Sequence, residues 1–163
     1  MPEEIQVRAI NGSGQSCQQN QIICEESEMA KIAWSDALSV RIDTFDNEHK
    51  KLIDIFNRLD AAMAQGKSQH MLAGILAELS SYTETHFRHE EKIMQKHNYA
   101  GFAEHKMAHD EFIRQLSQTK SQFESGNVRL GIPVFNFLTA WIKNHIQQMD
   151  RRYSEDLINA GVK

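Results

Sequence analysis

Five of the eight histidines in this 163-residue chain, with two carboxylates, sit at spacings that helices can bring to one point. His49 stands on the first long amphipathic stretch. His86 and Glu90 are four apart on the second, and His105 and His109 four apart on the third. His145 and Asp150, five apart, close the fourth. Residues four apart share one face of a helix, one turn above another. Each position lies on a stripe otherwise made of Leu, Ile, Phe, Tyr and Trp, so all seven side chains point into a core. Burying five imidazoles and two carboxylates without compensation is very costly. Metal coordination removes the cost, because neutral imidazole and ionised carboxylate become bonded donors. Seven ligands are too many for one tetrahedral zinc. They suit two octahedral ions that share the carboxylates as bridges.

The helical pattern runs from Trp34 onward. Asp43 is placed as an N-cap, with Asp46 and Glu48 favourable for the helix dipole. Phe45, His49, Leu52, Ile53 and Phe56 then recur at threes and fours. Gly66 reads as the stop and Ser68 as the next cap. The second helix carries Leu72, Ile75, Leu76, Leu79, Tyr82, His86, Glu90 and Ile93 on one stripe, broken at Asn98 to Gly101. The third runs from about Phe102 to Phe123 and ends at Gly126-Asn127. Pro133 suits the first turn of the fourth, whose inner face is Phe137, Leu138, Trp141, Ile142 and His145. A short amphipathic segment, Arg152 to Leu157, follows. The expected fold is all-α: an up-down-up-down antiparallel four-helix bundle over residues 31–163, with the two metal ions in its core.

Residues 1–30 differ. They hold five Gln, a Gly-Ser-Gly turn and few large apolar residues, and read as a flexible extension. Ile5, Val7 and Ala9 before Asn11-Gly12 give only a weak hairpin signal. Cys17 and Cys24 both fall here, with no disulfide framework, so a reducing cytoplasm is the expected compartment. The formal charge of -4 and a pI near 6.0 come without a basic stripe, which argues against nucleic acid. The apolar run Ile132 to Ile142 is broken and too short to span a membrane.

Two comparisons of spacing narrow the chemistry. His105-Lys106-Met107-Ala108-His109 has the paired histidines of a zinc-protease helix but lacks the Glu that serves as its general base. Di-iron proteins of the ferritin type use Glu-x-x-His on two helices, with carboxylates dominant. Here imidazoles dominate, which favours reversible dioxygen chemistry over oxygenase chemistry.

With these residues in view, the chain resembles bacterial hemerythrin-domain proteins. The matching stretches are Trp34-Ser35 with IDTFDNEHKKL, then YTETHFRHEEKIM, FAEHKMAHDEF and WIKNHIQQMD. The resemblance implies two iron ions, Fe2+ or Fe3+, with an oxo or hydroxo bridge. His105, His109 and His145 would hold one iron, and His49 and His86 the other, with Glu90 and Asp150 bridging. The first iron then has six ligands and the second five, leaving one open position for dioxygen. The implied function is reversible dioxygen binding for storage, delivery or sensing, by a binding protein rather than an enzyme. The alternatives are a di-iron enzyme acting on peroxide or nitric oxide, and an iron- or oxygen-sensing signalling module.

The inward residues near the ligands, Phe45, Phe56, Tyr82, Phe112, Trp141 and Ile142, are the candidate lining of the oxygen pocket. The only polar candidate over the open site is Tyr82. His70, His89 and His97 fit no ligand pattern and read as surface residues.

Overall fold

The structure, a computed structural model, describes residues 31–127 and 129–163. The hairpin signal and both cysteines lie outside the described residues. A lead-in with a turn of 3-10 helix at Asp36–Leu38 precedes α1 (Asp43–Ala64), α2 (Gln69–Lys96) and α3 (Phe102–Glu124). The fourth rod is composite. It runs from α4 (Ile132–Asn144) through a π-helical segment (His145–Asp150) into α5 (Arg151–Asn159). The antiparallel four-helix bundle is thus present, and the segment expected near Arg152 to Leu157 is the end of the fourth rod. Among the described residues, no helix is long and apolar enough to cross a membrane.

The helix ends follow backbone chemistry. Gly66 takes a positive φ of 60°, and the amides of Gly66 and Lys67 bond back to the carbonyls of Met63 and Ala62. That double bond is a Schellman stop, and it uses carbonyls the helix would leave orphaned. Asn98, at φ 52°, closes α2 in the same way. Ser68 caps α2, its hydroxyl accepting the Met71 amide at 3.3 Å. Asp43, by contrast, is not a cap. The cap position is Ile42, without a side-chain hydrogen bond, and Asp43 is the first helical residue. The acid that fixes this corner is Asp46, which turns back to accept the Ser39 hydroxyl at 2.6 Å and the Val40 amide at 2.8 Å.

Core placement is close to the periodicity on α1, where Phe45, His49, Leu52, Ile53 and Phe56 are all buried. On α2 the buried line lies slightly to one side of the expected stripe. Leu76, Leu79, Thr83, His86, Phe87, Glu90 and Met94 are buried, while Tyr82 and Ile93 stay at the margin.

The lead-in is part of the core. Ile32, Leu38, Val40 and Ile42 are each at most 3% exposed. Asn57 on α1 clasps the Ile32 backbone, accepting its amide and donating to its carbonyl, both at 2.9 Å. Burying one such aliphatic side chain is worth about 1.5–3 kcal/mol. A chain beginning at Met29 is therefore expected to keep its stability within about 1 kcal/mol. Asn57→Ala should cost about 1–2 kcal/mol through its two lost bonds. Urea denaturation midpoints check both. A large loss in the Met29 chain would show that residues before it dock on the bundle.

Candidate metal centre

Two local devices deliver the paired donors. On α2 and α3 the four-residue spacings of His86 with Glu90 and of His105 with His109 act as expected, and all four side chains are buried. The fourth rod cannot work that way. Five residues of an α-helix turn through about 500°, which would leave Asp150 about 140° away from His145. The segment His145–Asp150 is instead π-helical. Its i→i+5 bonding brings the fifth residue back over the first, a device that recurs at functional sites. Both side chains face inward, at 5% and 0% exposure.

The seven side chains converge as the sequence requires. Ligand-type atoms of Glu90, His105, His109, His145 and Asp150 lie within 4.8 Å of one another, as do those of His49, His86 and Glu90. The carboxylates straddle the two groups. Glu90 Oε1 faces His49 and His86 at 3.5 and 3.7 Å, and its Oε2 faces His109 and His105 at 3.4 and 3.8 Å. Asp150 Oδ2 stands 3.2 Å from His49, while Oδ1 stands 3.1 and 3.3 Å from His145 and His105.

Three observations test whether this donor set fits metal. The Nε2 atoms of His105, His109 and His145 are mutually 3.0–3.2 Å apart. Donors about 2.1 Å from one ion stand about 3.0 Å apart at octahedral right angles and about 3.4 Å apart in a tetrahedron. The spacing is nearer that of one octahedral face. Second, both ring nitrogens of His49, Oε2 of Glu90 and both oxygens of Asp150 are buried without a hydrogen-bond partner. Buried polar atoms without partners cost about 1–3 kcal/mol each, more when charged. Third, two of the outer ring nitrogens are tied down. His86 Nδ1–H donates to Glu48 Oε2 at 2.8 Å, and His109 Nδ1–H to Glu91 Oε1 at 3.1 Å. A carboxylate only accepts, so Nδ1 carries the proton in each ring and the Nε2 lone pair points inward. The residues fit a pair of cations.

Electrostatics agree. Burial would raise Glu90, but the potential of His86 and the contacts with His105, His109 and His49 hold it well below the usual carboxylate range. Burial would lower His49, yet Asp150 and Glu90 push it up to about 10. His145 goes down, because burial there outweighs Asp150. The site is thus an anionic hole that calls for positive charge at its centre.

Stacked rings fix the imidazole planes. Phe87 lies 3.6 Å from the His109 ring, tilted by 2°, and Trp141 lies 4.2 Å from His145 at 12°. Phe112 continues that column on Trp141 at 3.9 Å. Of the expected lining, Phe112, Trp141 and Ile142 stand on this column or beside it in the core, and Phe45 packs edge-on against Tyr153 at 5.6 Å. Phe56 stacks on Phe135 at 4.4 Å, further along the bundle. Tyr82 is half-buried, with the Lys51 ammonium 4.7 Å over its ring.

Sequence reasoning missed four residues. The phenol in the site is Tyr153, fully buried, whose hydroxyl donates to Glu90 Oε1. Burial, then the charges of Glu90 and Asp150, push it well above its ordinary value, so it keeps its proton. Its place three residues after Asp150 was an available signal. Phe87, Glu48 and Glu91 each directly adjoin a ligand in sequence, off the expected inward stripe, and of these only Glu48 carries a sequence reading, for the helix dipole. His89 is not a plain surface residue. It is about a third exposed, and its Nδ1–H donates to Glu48 Oε1 at 2.7 Å. His70 is exposed as expected, and His97 is half-buried at the end of α2.

The π segment yields a test. Gln147 is exposed. Deleting it leaves His145 and the acid four apart, which a regular helix also presents on one face, so metal content should persist. Inserting an alanine after Gln147 should turn Asp150 away and strip the metal. Elemental analysis of both variants decides, and loss of metal in the deletion variant would show that the π turn itself is needed.

Comparison with known proteins places this geometry. A family model described as "Hemerythrin HHE cation binding domain" matches residues 40–156. Bacteriohemerythrin of Pseudomonas aeruginosa is 35% identical over 125 residues, covering 77% of this chain and 80% of the relative. Myohemerythrin of Riftia pachyptila is 30% identical over 124 residues, covering 76% and 92%. A crystal structure of wild-type hemerythrin superposes with a TM-score of 0.75 at 30% identity, covering 78% of this chain and 98% of that one. A match of that extent, over the same helices that carry the seven converging side chains, means that this chain belongs to the hemerythrin family.

Proposed function

We propose that the chain binds dioxygen reversibly at two iron ions, for storage, delivery or sensing. His105, His109 and His145 would hold one ion, and His49 and His86 the other, with Glu90 and Asp150 shared. The observation that carries this reading is the straddling of the two carboxylates, each with one oxygen toward each histidine group. When bound, a ferrous pair supplies two electrons that dioxygen can take up and return.

The chain's own residues do the rest. The two-histidine end has one donor fewer, which leaves a position there for a small ligand. Glu48 and Glu91 hold the Nδ1 protons of His86 and His109, so both rings present Nε2. Phe87 and Trp141 lock the ring planes of His109 and His145. Phe112 and Ile142, each at most 2% exposed, exclude water. Tyr153 keeps its proton on the phenol oxygen and donates a hydrogen bond through it to Glu90, which orients that carboxylate. Cleavage of an O–O bond needs a general acid within reach of the oxygen. Tyr153 is already engaged and Tyr82 sits at the margin, which supports a binder over a peroxidase or oxidase.

The test is stopped-flow absorption. The reduced protein should carry about two irons per chain, as the donor set implies. It should develop a visible band on mixing with dioxygen and lose it under argon without added reductant. Glu90→Ala and Asp150→Ala should each remove both irons, whereas His70→Ala should leave iron content unchanged. Ile142→Thr should speed irreversible oxidation by admitting water. One zinc per chain with no iron, or prompt oxidation of the unaltered chain with release of peroxide, would overturn the proposal.

A further inference from the structure

Glu48 precedes His49 on α1, and its side chain crosses to α2. There it meets two imidazoles one helical turn apart. Its Oε2 accepts the Nδ1–H of His86 at 2.8 Å, and its Oε1 accepts the Nδ1–H of His89 at 2.7 Å. One imidazole is buried and faces the centre; the other reaches solvent at 37% exposure, its ring held edge-on by Phe45 at 5.5 Å. Glu48 itself is 24% exposed. A glutamate side chain gives up about 1.5–2 kcal/mol of rotamer freedom when it is fixed. With only the His86 bond to hold it, a carboxylate near solvent would spend part of its time turned outward. The second charge-assisted bond, from a ring itself braced by Phe45, removes that freedom.

The other end of the centre is built differently. Glu91 serves His109 at 3.1 Å and, among the described residues, is steadied from outside only by the Lys106 ammonium at 3.7 Å, which bonds Asp110 more closely at 2.6 Å. The short two-point clamp therefore belongs to the two-histidine end, where the ion has fewer protein donors and depends more on each.

We propose that His89 is a positioning residue of the centre: it clamps Glu48 so that His86 keeps its Nε2 aimed at the metal. The inference rests on the paired-iron reading above. It acts through a hydrogen bond, and partners of this kind typically govern metal affinity by 10–100-fold.

The experiment is removal of iron from the fully loaded, full-length protein by a strong ferrous chelator, followed as two kinetic phases. In His89→Ala, one iron per chain should leave about tenfold faster, with the other phase unchanged. His89→Asn, whose amide N–H stands about where the Nδ1–H does, should restore the slow rate. In a Glu48→Gln background, His89→Ala should add no further acceleration, because its effect passes through Glu48. Circular dichroism of the loaded proteins should match across the set, so that a general loss of fold is not what speeds release. The clamp is overturned if His89→Ala releases iron at the original rate, if both phases speed up equally, or if the effect persists in the Glu48→Gln background. An unaltered chain that does not load two irons would overturn the paired-iron reading together with the clamp.

Discussion

Everything in this bundle is arranged around two fully buried carboxylates. Glu90 and Asp150 are both 0% exposed, and three of their four oxygens have no hydrogen-bond donor. Unpaired charge in an apolar interior costs several kcal/mol per group even after relaxation. Cations in that hole would remove the cost, so metal binding is expected to add to the stability of the folded chain. The surrounding choices follow. The outer carboxylates Glu48 and Glu91 do not enter the hole but fix the protons of the rings that do. The aromatic stacks constrain ring planes without adding a polar atom that would need a partner.

The fourth rod shows how far local structure bends to that requirement. A continuous α-helix would have placed His145 or Asp150 inward, not both. The six-residue π segment keeps both, and it also sets the phase of α5, so that Tyr153 and Leu157 fall on the core. Tyr153 then reaches across to Glu90 on α2. One irregular turn thus delivers a histidine, a carboxylate and the phenol that orients the other carboxylate. The five-residue spacing in the sequence was the trace of that turn.

How much was legible follows from the range of each interaction. The seven converging residues could be read because periodicity within a helix decides which side chains face inward. The stops at Gly66 and Asn98 could be read because a positive φ restricts residue type. Asp43 was misread as a cap because acid composition at a helix start does not say which acid turns back. Asp46 does, since the lead-in offers it the Val40 amide and the Ser39 hydroxyl. Glu48, Glu91, Phe87 and His89 sit directly beside ligands or on the flank of the stripe. What they touch depends on the neighbouring helix, and no spacing within one helix encodes that. Tyr82 and Tyr153 exchanged roles for a related reason. Tyr82 lies a full turn from His86, yet the buried line on α2 runs through Thr83 and Phe87, which rotates Tyr82 toward Lys51.

The two ends of the centre are unequal in a way that bears on what it can do. At the three-histidine end, two of the three rings are held by stacked aromatics, so those donors are fixed by packing. At the two-histidine end, the His49 and His86 rings meet edge to face at 4.8 Å, and the outer restraint on His86 is the hydrogen-bonded Glu48. Packing resists displacement in every direction, whereas a hydrogen bond resists it along one. On the proposed reading, a ligand enters and leaves at the second end, so the ion there must tolerate changes in its surroundings that the other need not. On that same reading, an end braced by packing would stand beside an under-supplied one braced through Glu48, and the shared carboxylates would keep the pair together while a small ligand exchanges.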